Sequence, residues 1–435
     1  MIPKISFFET LIFNALYSIP SYLSGLFTRN RLWVGFWSRL QVDRLGVRFV
    51  SRLRRRYGSG YLFTRVSGST ALLVLDHSGI HHVLARSPEM YGDAASKHRG
   101  MTHFMPGAVT ISRDDDWKDR RRFNEGVLET GHAVHSMGDE FLDVIIHSVS
   151  EMLRTAENQL HWKNFDECFE QIASGIIFGV EPEIGRPLFD RLTKMMRESN
   201  RVFGLRKSKQ FDAFYTDIRS QLASPGSGSL VSLCPHIAAT AKTHVENQIP
   251  HWMFAIRETL AINTARALAL LISHPKQEER AREELVWRND ITAQDIHNLK
   301  FLEACVQEAM RLWPSTPFVA REAVGEEVLE GSAILPGTQV LILNTFNHRD
   351  RETSVTADTF YPDQWFNGIP DLPYNHLSGG PQVCAGKDLA LFIAKATLAA
   401  LLQKGHYTLE RPTLDPAKPL PSMLNHFRLS MRIEK

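Results

Sequence analysis

The sequence predicts a mainly α fold with small β-sheets, built around one long central helix. Three observations lead there. From about Pro250 to His274 the chain carries little charge, is rich in alanine and leucine (Ala255, Ala261, Ala265, Ala267, Leu268), and stops at His274-Pro275. About 25 residues of helix run nearly 40 Å, roughly the width of a domain, so a helix this apolar crosses the interior. Helical patterning also dominates from Asp116 to past Leu153 and from Cys384 to Gln403, whereas strand patterns are short. They comprise a hairpin between Gly60 and Asp76, turning at Gly68-Ser69, and the run Val340 to Leu343. Ser224 to Ser229 is a Gly/Ser loop between helices, too short to mark a domain boundary.

At the N-terminus, Phe8, Leu11, Ile12, Leu16, Ile19, Leu23 and Phe27 form a helix-spaced apolar stripe. Glu9, Asn14, Ser18 and Pro20 interrupt it, so it offers neither the ~20 apolar residues of a membrane span nor the clean core of a cleavable signal. Two uses remain open. The stripe packs on the protein's own body, or it makes shallow interfacial contact with a membrane, helped by Trp33, Phe36 and Trp37 beside Arg29 and Arg31. Residues 1–40 are thus set apart as an amphipathic segment, and 41–435 form one domain.

The 435 residues are 43% hydrophobic, enough for a large core, and the net charge of +2 gives no footprint for nucleic acid. The clusters Arg52 with Arg54 to Arg56, and Arg120 to Arg122, read as solvated helix faces. Four distant cysteines, Cys168, Cys234, Cys305 and Cys384, form no CxxC pattern and suit a reducing, cytoplasmic setting.

Four constellations carry chemistry. In Leu377-Ser378-Gly379-Gly380-Pro381-Gln382-Val383-Cys384-Ala385-Gly386, a glycine-rich loop delivers a cysteine to the mouth of a helix. Free N–H groups there favour thiolate, and glycines let a flat ligand approach. Glu308 and Arg311 lie i, i+3 on an apolar helix, so they share a face and can pair. Trp117 and Arg121, i and i+4 after the Asp114-Asp115-Asp116 cap, can donate to one carboxylate. Glu258-Thr259 puts an acid and an alcohol in the middle of the central helix, where both need partners.

In order and spacing these four, together with Asn347-His348-Arg349-Asp350 and Phe360-Tyr361-Pro362-Asp363-Gln364-Trp365, resemble the cytochrome P450 superfamily, and more its soluble bacterial-type members. The resemblance runs from about Gly60 to the end. It implies haem b, with Cys384 as axial ligand, Gly386 beside it, and the central helix crossing over the haem. It further implies that Trp117, Arg121 and Arg321 hold the propionates, that Glu308–Arg311 locks the core behind the loop, and that Glu258 and Thr259 deliver protons. The implied activity is a monooxygenase acting on a small to medium lipophilic molecule. Electrons would come from a ferredoxin or an NAD(P)H-dependent reductase, since no flavin or GxGxxG unit is present. Pocket walls are expected from His98 to Ile111, the Ala255 turn, Thr316 to Val319 and the turn near Phe427.

The chain departs from the family's pattern at four places. Leu377 replaces an aromatic, and Gln382 replaces a basic propionate donor. Gln364 replaces the arginine that completes the Glu-x-x-Arg network, and Ile256 replaces a glycine above the haem, where it is expected to narrow the space. Haem use driven by peroxide or directed to rearrangement is the alternative activity, and a non-catalytic haem-thiolate sensor is the third.

Overall fold

The computed structural model describes residues 1–201, 207–285, 291–366 and 374–434. Among these residues lie ten short strands: β1 (Tyr61–Val66), β2 (Ser69–Val74), β3 (Tyr91–Asp93), β4 (Gln159–His161), β5 (Val319–Ala323), β6 (Glu327–Leu329), β7 (Ser332–Ile334), β8 (Gln339–Ile342), β9 (His406–Arg411) and β10 (Ser430–Glu434). They build a five-stranded sheet in the order β1-β2-β8-β5-β3, a three-stranded sheet β4-β10-β9, and the hairpin β6-β7. The expected first hairpin is there. Its turn lies one residue earlier than expected, at Ser67-Gly68 rather than Gly68-Ser69, because Ser69 pairs with Val66 and the two turn residues take positive φ (50° and 83°), as a two-residue hairpin needs. The run around Val340 is β8, parallel to β2 and antiparallel to β5.

Helices make the rest. The N-terminal ones are α1 (Phe7–Phe13), α2 (Ile19–Ser24), α3 (Arg31–Leu40) and α4 (Val42–Tyr57). Those that frame the site are α5 (Asp114–Leu128), α6 (Gly138–Thr155), α7 (Trp162–Ala173), α8 (Pro182–Ser199), α9 (Lys300–Leu312) and α10 (Lys387–Lys404). The central helix runs as Ile249–Phe254, a π turn at Ala255–Leu260, then Ala261–Ser273. It ends at His274, as the His-Pro stop predicts. Its last stretch is buried almost all round and joins α6, α7, α9 and α10 in the largest core. A second core fills one face of the five-stranded sheet, and a third lies between its other face, α1 and α4.

Four expectations change. The helical run from Asp116 past Leu153 is broken into α5 and α6, because Glu129 (φ 47°) and Gly131 (φ 86°) turn the chain through left-handed backbone. The last helix starts at Lys387, not Cys384, since Cys384 belongs to the preceding turn. Most of the N-terminal apolar stripe does not pack on the body. Phe8, Leu11, Ile12 and Ile19 are exposed, and the face that packs is that of Phe13 and Tyr17. The basic clusters are only partly solvated: Arg120 and Arg121 are buried, and Arg54 is paired with Asp350 at 2.7 Å.

Candidate functional site

The loop leading to Cys384 is tightly built. Ser378 (φ 63°) and Gly380 (φ 60°) take left-handed backbone, and a Cβ on Gly380 would lie 2.1 Å from the Leu84 carbonyl oxygen. Only glycine fits there. The Cys384 N–H then donates to Leu377 O (2.9 Å), and the Lys387 N–H to Cys384 O (3.2 Å). Behind the turn the Arg121 guanidinium donates to Val383 O and to Glu125 (2.6 Å), and Thr130 donates to Ala385 O (2.6 Å). Helix α5 and the turn that follows it thereby hold the carbonyls of the residues on either side of the cysteine.

Cys384 is in no disulfide and keeps some open surface. Burial nonetheless pushes its thiol pKa up, against the downward pull of a backbone hydrogen bond from Gly386 and of the Arg121 charge. Gly386 is informative here. Its φ is −93°, and a Cβ on it would meet only Leu128, at an ordinary 3.6 Å. The protein's own packing does not call for glycine at this position, so the room it leaves lies free beside the sulfur.

The π turn of the central helix contributes the other chemistry. Ala255, Glu258 and Thr259 are half-buried, while Ile256 is buried in the main core. π turns insert one residue into the helical ladder and are frequent where function needs a displaced side chain. Burial raises the Glu258 carboxyl, while the Arg29 N–H (3.0 Å), the Arg29 charge and Arg257 pull it down and Asp166 pushes it up. Arg257 turns toward α7 and α8, bonding Glu170 (3.0 Å), Asp166 (3.3 Å) and Thr193 (3.0 Å).

The sequence marks Arg29 only as a basic flank; the structure puts it at the site. Gly25 (φ 88°) opens a loop whose Leu26 and Phe27 N–H groups both donate to Asn200 (2.9 Å each). The Arg29 guanidinium donates back to Gly25 O (2.6 Å) and across to Ser315 O. Phe27 meets Phe104 edge to face at 5.4 Å, which places the N-terminal segment against the expected 98–111 wall.

Of the other predicted residues, Arg321 on β5 is buried and reaches Asp93 at 3.3 Å, with its Nε unpartnered. Lys97, which no motif marks, shares that carboxylate at 2.6 Å and also donates to Thr110. His251 in the first turn of the central helix feels both Lys97 and Asp93, and burial drives its pKa down to about 4. Trp117 is half-buried on α5 but shares no carboxylate with Arg121, whose guanidinium is taken up by Val383 O and Glu125. Gln382 has a buried Oε1 without a partner, as do Ser378 Oγ and both ring nitrogens of His376. Buried polar atoms are nearly always satisfied in a complete structure. An unpaired thiol, unspent polar atoms in and beside its loop, and a glycine that packing does not need fit a flat, carboxylate-bearing group such as haem.

Behind the loop, Glu308 and Arg311 are fully buried and doubly bonded, at 2.7 Å each. Arg311 also donates to four backbone carbonyls, those of His348, Thr356, Ala357 and Thr359. Gln364 takes the place of the expected second arginine by donating to Glu308 at 2.6 Å, joined by Trp365 (3.1 Å) and the Tyr361 N–H (3.0 Å). The network closes here without a second guanidinium.

Comparisons with known proteins point the same way. The family described as Cytochrome P450 matches residues 237–430. Cytochrome P450 714C2 of Oryza sativa subsp. japonica is 32% identical over 205 residues, covering 43% of this chain and 39% of that protein. Cytochrome P450 4c3 of Drosophila melanogaster is 31% identical over 171 residues (37% and 32%), and the aromatase of Equus caballus is 29% identical over 168 (38% and 33%). The chain thus aligns with well under half the length of these relatives. In three dimensions it matches the structure described as "Retinoic acid bound cyanobacterial CYP120A1" with a TM-score of 0.71 at 18% identity, over 89% of this chain and 94% of that one.

Proposed function

We propose that the chain is a member of the cytochrome P450 superfamily, which its family match and its relatives support, and that it is a haem-thiolate monooxygenase with Cys384 as the iron ligand. When bound, the haem supplies the activation of O₂. The chain's own residues do the rest. The Arg121 clamp holds the Cys384 turn, and Gly386 leaves room for the macrocycle. Arg321 and Lys97 offer cationic donors to propionates, with Trp117 and Gln382 completing that set. Glu258 and Thr259 on the π turn hold protons, and burial raises the Glu258 carboxyl. Residues 41–435 act as one haem domain.

The apolar side chains of Phe27, Phe104 and Ala255 near the π turn support a small to medium lipophilic substrate. The retinoic acid named for the cyanobacterial structure is a lipophile of that size, and similar molecules are the first to screen. Electrons come from a ferredoxin or an NAD(P)H-dependent reductase. The site of action is cytoplasmic, with peripheral membrane contact through the N-terminal segment; among the described residues, no helix is long and apolar enough to cross a membrane.

The single observation that carries the reading is the half-buried, unpaired Cys384 beside a glycine its surroundings do not need. The test is the absorption spectrum of the reduced, carbon-monoxide-bound protein. Wild type is expected to show the red-shifted band of a thiolate-ligated haem and Cys384→Ala to lose it. Absence of that band from haem-loaded wild type overturns the proposal. A peroxide-driven reaction is the second reading, supported by the tie between Glu258 and the Arg29 N–H, which occupies one carboxylate oxygen. Turnover with hydrogen peroxide and no reductase decides between them.

A further inference from the structure

Helix α3 shows two faces with different partners. Leu32 (82% exposed), Trp33, Phe36 and Leu40 face solvent, and Trp33, Phe36 and Trp37 interlock as an aromatic cluster. Arg31 and Arg39 of the same helix border an open cleft of about 1350 Å³. Its other walls come from the start of α4, the β4–α7 corner, the end of β9 and the turn around Phe427.

The charges in that cleft are one-sided. Arg31, Arg39, Arg44, Lys163, Arg411 and Arg428 line it, against the single carboxylate of Glu410. Lys163 has Glu167 within 3.5 Å, and Glu410 is occupied by Gln159 and Ser430. Among the described residues none of the five arginines sits in an ion pair. Guanidiniums gathered without counter-charges repel one another, and an anion between them removes that cost.

The second observation is independent of charge. Phe7, Phe8, Leu11, Ile12, Ile19 and Tyr22 form an exposed apolar stripe along α1 and α2, and α2 packs directly on α3. Exposed apolar residues gathered on neighbouring helices mark an interaction surface. Aromatic and aliphatic side chains beside arginines are the pattern of a helix lying in a bilayer interface.

We propose that α1–α3 lies on an anionic bilayer, with the apolar stripes in the headgroup boundary and the arginine cleft binding lipid phosphate groups. This rests on the peripheral contact proposed above and adds to it the lipid class and the site. A soluble phosphate compound would use the cleft but leave the stripes in water, whereas a bilayer engages both.

The test uses the full chain, sedimented with phosphatidylcholine vesicles and with vesicles that also contain phosphatidylserine. Each arginine near a charged surface is worth roughly fivefold in affinity, so the anionic vesicles are expected to bind at least tenfold more tightly. High salt and the double variant Arg31→Glu/Arg39→Glu remove that excess. Phe8→Ser/Phe36→Ser weakens binding to both vesicles while keeping the preference. Equal binding to the two vesicles, or a preference untouched by the arginine variant, overturns the headgroup site and leaves peripheral contact standing. No binding to either overturns both. A vesicle-free dimer that Phe36→Ser returns to monomer assigns the face to a second copy, and that too overturns the proposal. Melting curves of the variants show whether each is folded, and all four altered side chains are exposed.

Discussion

Arg311→Met removes one half of a fully buried ion pair without leaving a large hole. Glu308 keeps three donors (Gln364, Trp365 and the Tyr361 N–H) but loses the counter-charge of Arg311, and four carbonyls lose the donor that served them. Breaking such a pair from one side costs about 3–5 kcal/mol, because the surviving charge stays desolvated. With an unfolding entropy of about 2.1 cal/mol/K per residue over this chain, about 4 kcal/mol corresponds to a fall in melting temperature of roughly 4 °C if unfolding is cooperative. The assay is differential scanning calorimetry of wild type, Arg311→Met, Glu308→Gln and the double variant. The double variant carries no buried charge at this position and is expected to recover at least half the loss. Its amide still accepts from Gln364. A single variant that melts within about 1 °C of wild type, or a double variant as unstable as the worse single one, refutes the electrostatic account of this network.

Gly386→Ala is expected to leave the melting temperature of the haem-free protein within about 1 °C, because the new Cβ meets only Leu128 at 3.6 Å, yet to lower haem retained per chain on purification. Equal haem content would remove the reason given for this glycine. Burial raises Asp43 to about 7 despite Arg349 and Arg266, so the folded protein holds a proton there that the unfolded chain releases near its ordinary 3.8. Stability contributed by that proton is therefore lost as pH rises from about 4 to about 7, and Asp43→Asn should be more stable than wild type above pH 7 by up to about 4 kcal/mol. Parallel melting-versus-pH curves for the two proteins would contradict it. Arg29→Gln keeps the backbone N–H on Glu258 but removes the charge that opposes burial, so the carboxyl should titrate at higher pH, with Arg29→Lys restoring it. Infrared difference spectra that identify the band by its loss in Glu258→Gln measure this directly, and an unmoved titration would assign the Arg29 charge no role in holding Glu258.

Much of the fold could be read from local pattern. The central helix, the first hairpin and the cysteine loop are each specified by neighbours in sequence: an apolar run closed by His-Pro, alternating strand residues around a glycine turn, and a glycine-rich approach to the cysteine; the structure moved the hairpin turn to Ser67-Gly68. The pairing of Glu308 with Arg311 is likewise local, at i and i+3 on one face. The resemblance suggests roles for these residues, and the structure sets Arg121 against the Cys384 turn, in whose loop Gln382 also lies.

What the sequence determined by itself, then, was each element's kind and which thiol stands in a glycine-built turn. Only the tertiary structure decided which face of an element is buried, because that depends on surfaces brought from far along the chain. The N-terminal stripe looks packable by its spacing, yet Phe13 and Tyr17 win the contact with α4 and the sheet, and most of the stripe is left in solvent. Arg120 and Arg121 look solvated, yet the Cys384 turn and the 242 region supply carbonyls that let them be buried. Arg29 lies 229 residues from Glu258 in sequence and within 3.0 Å of it in space. No periodicity reports such a contact, since periodicity describes one segment's faces and not what another segment places against them.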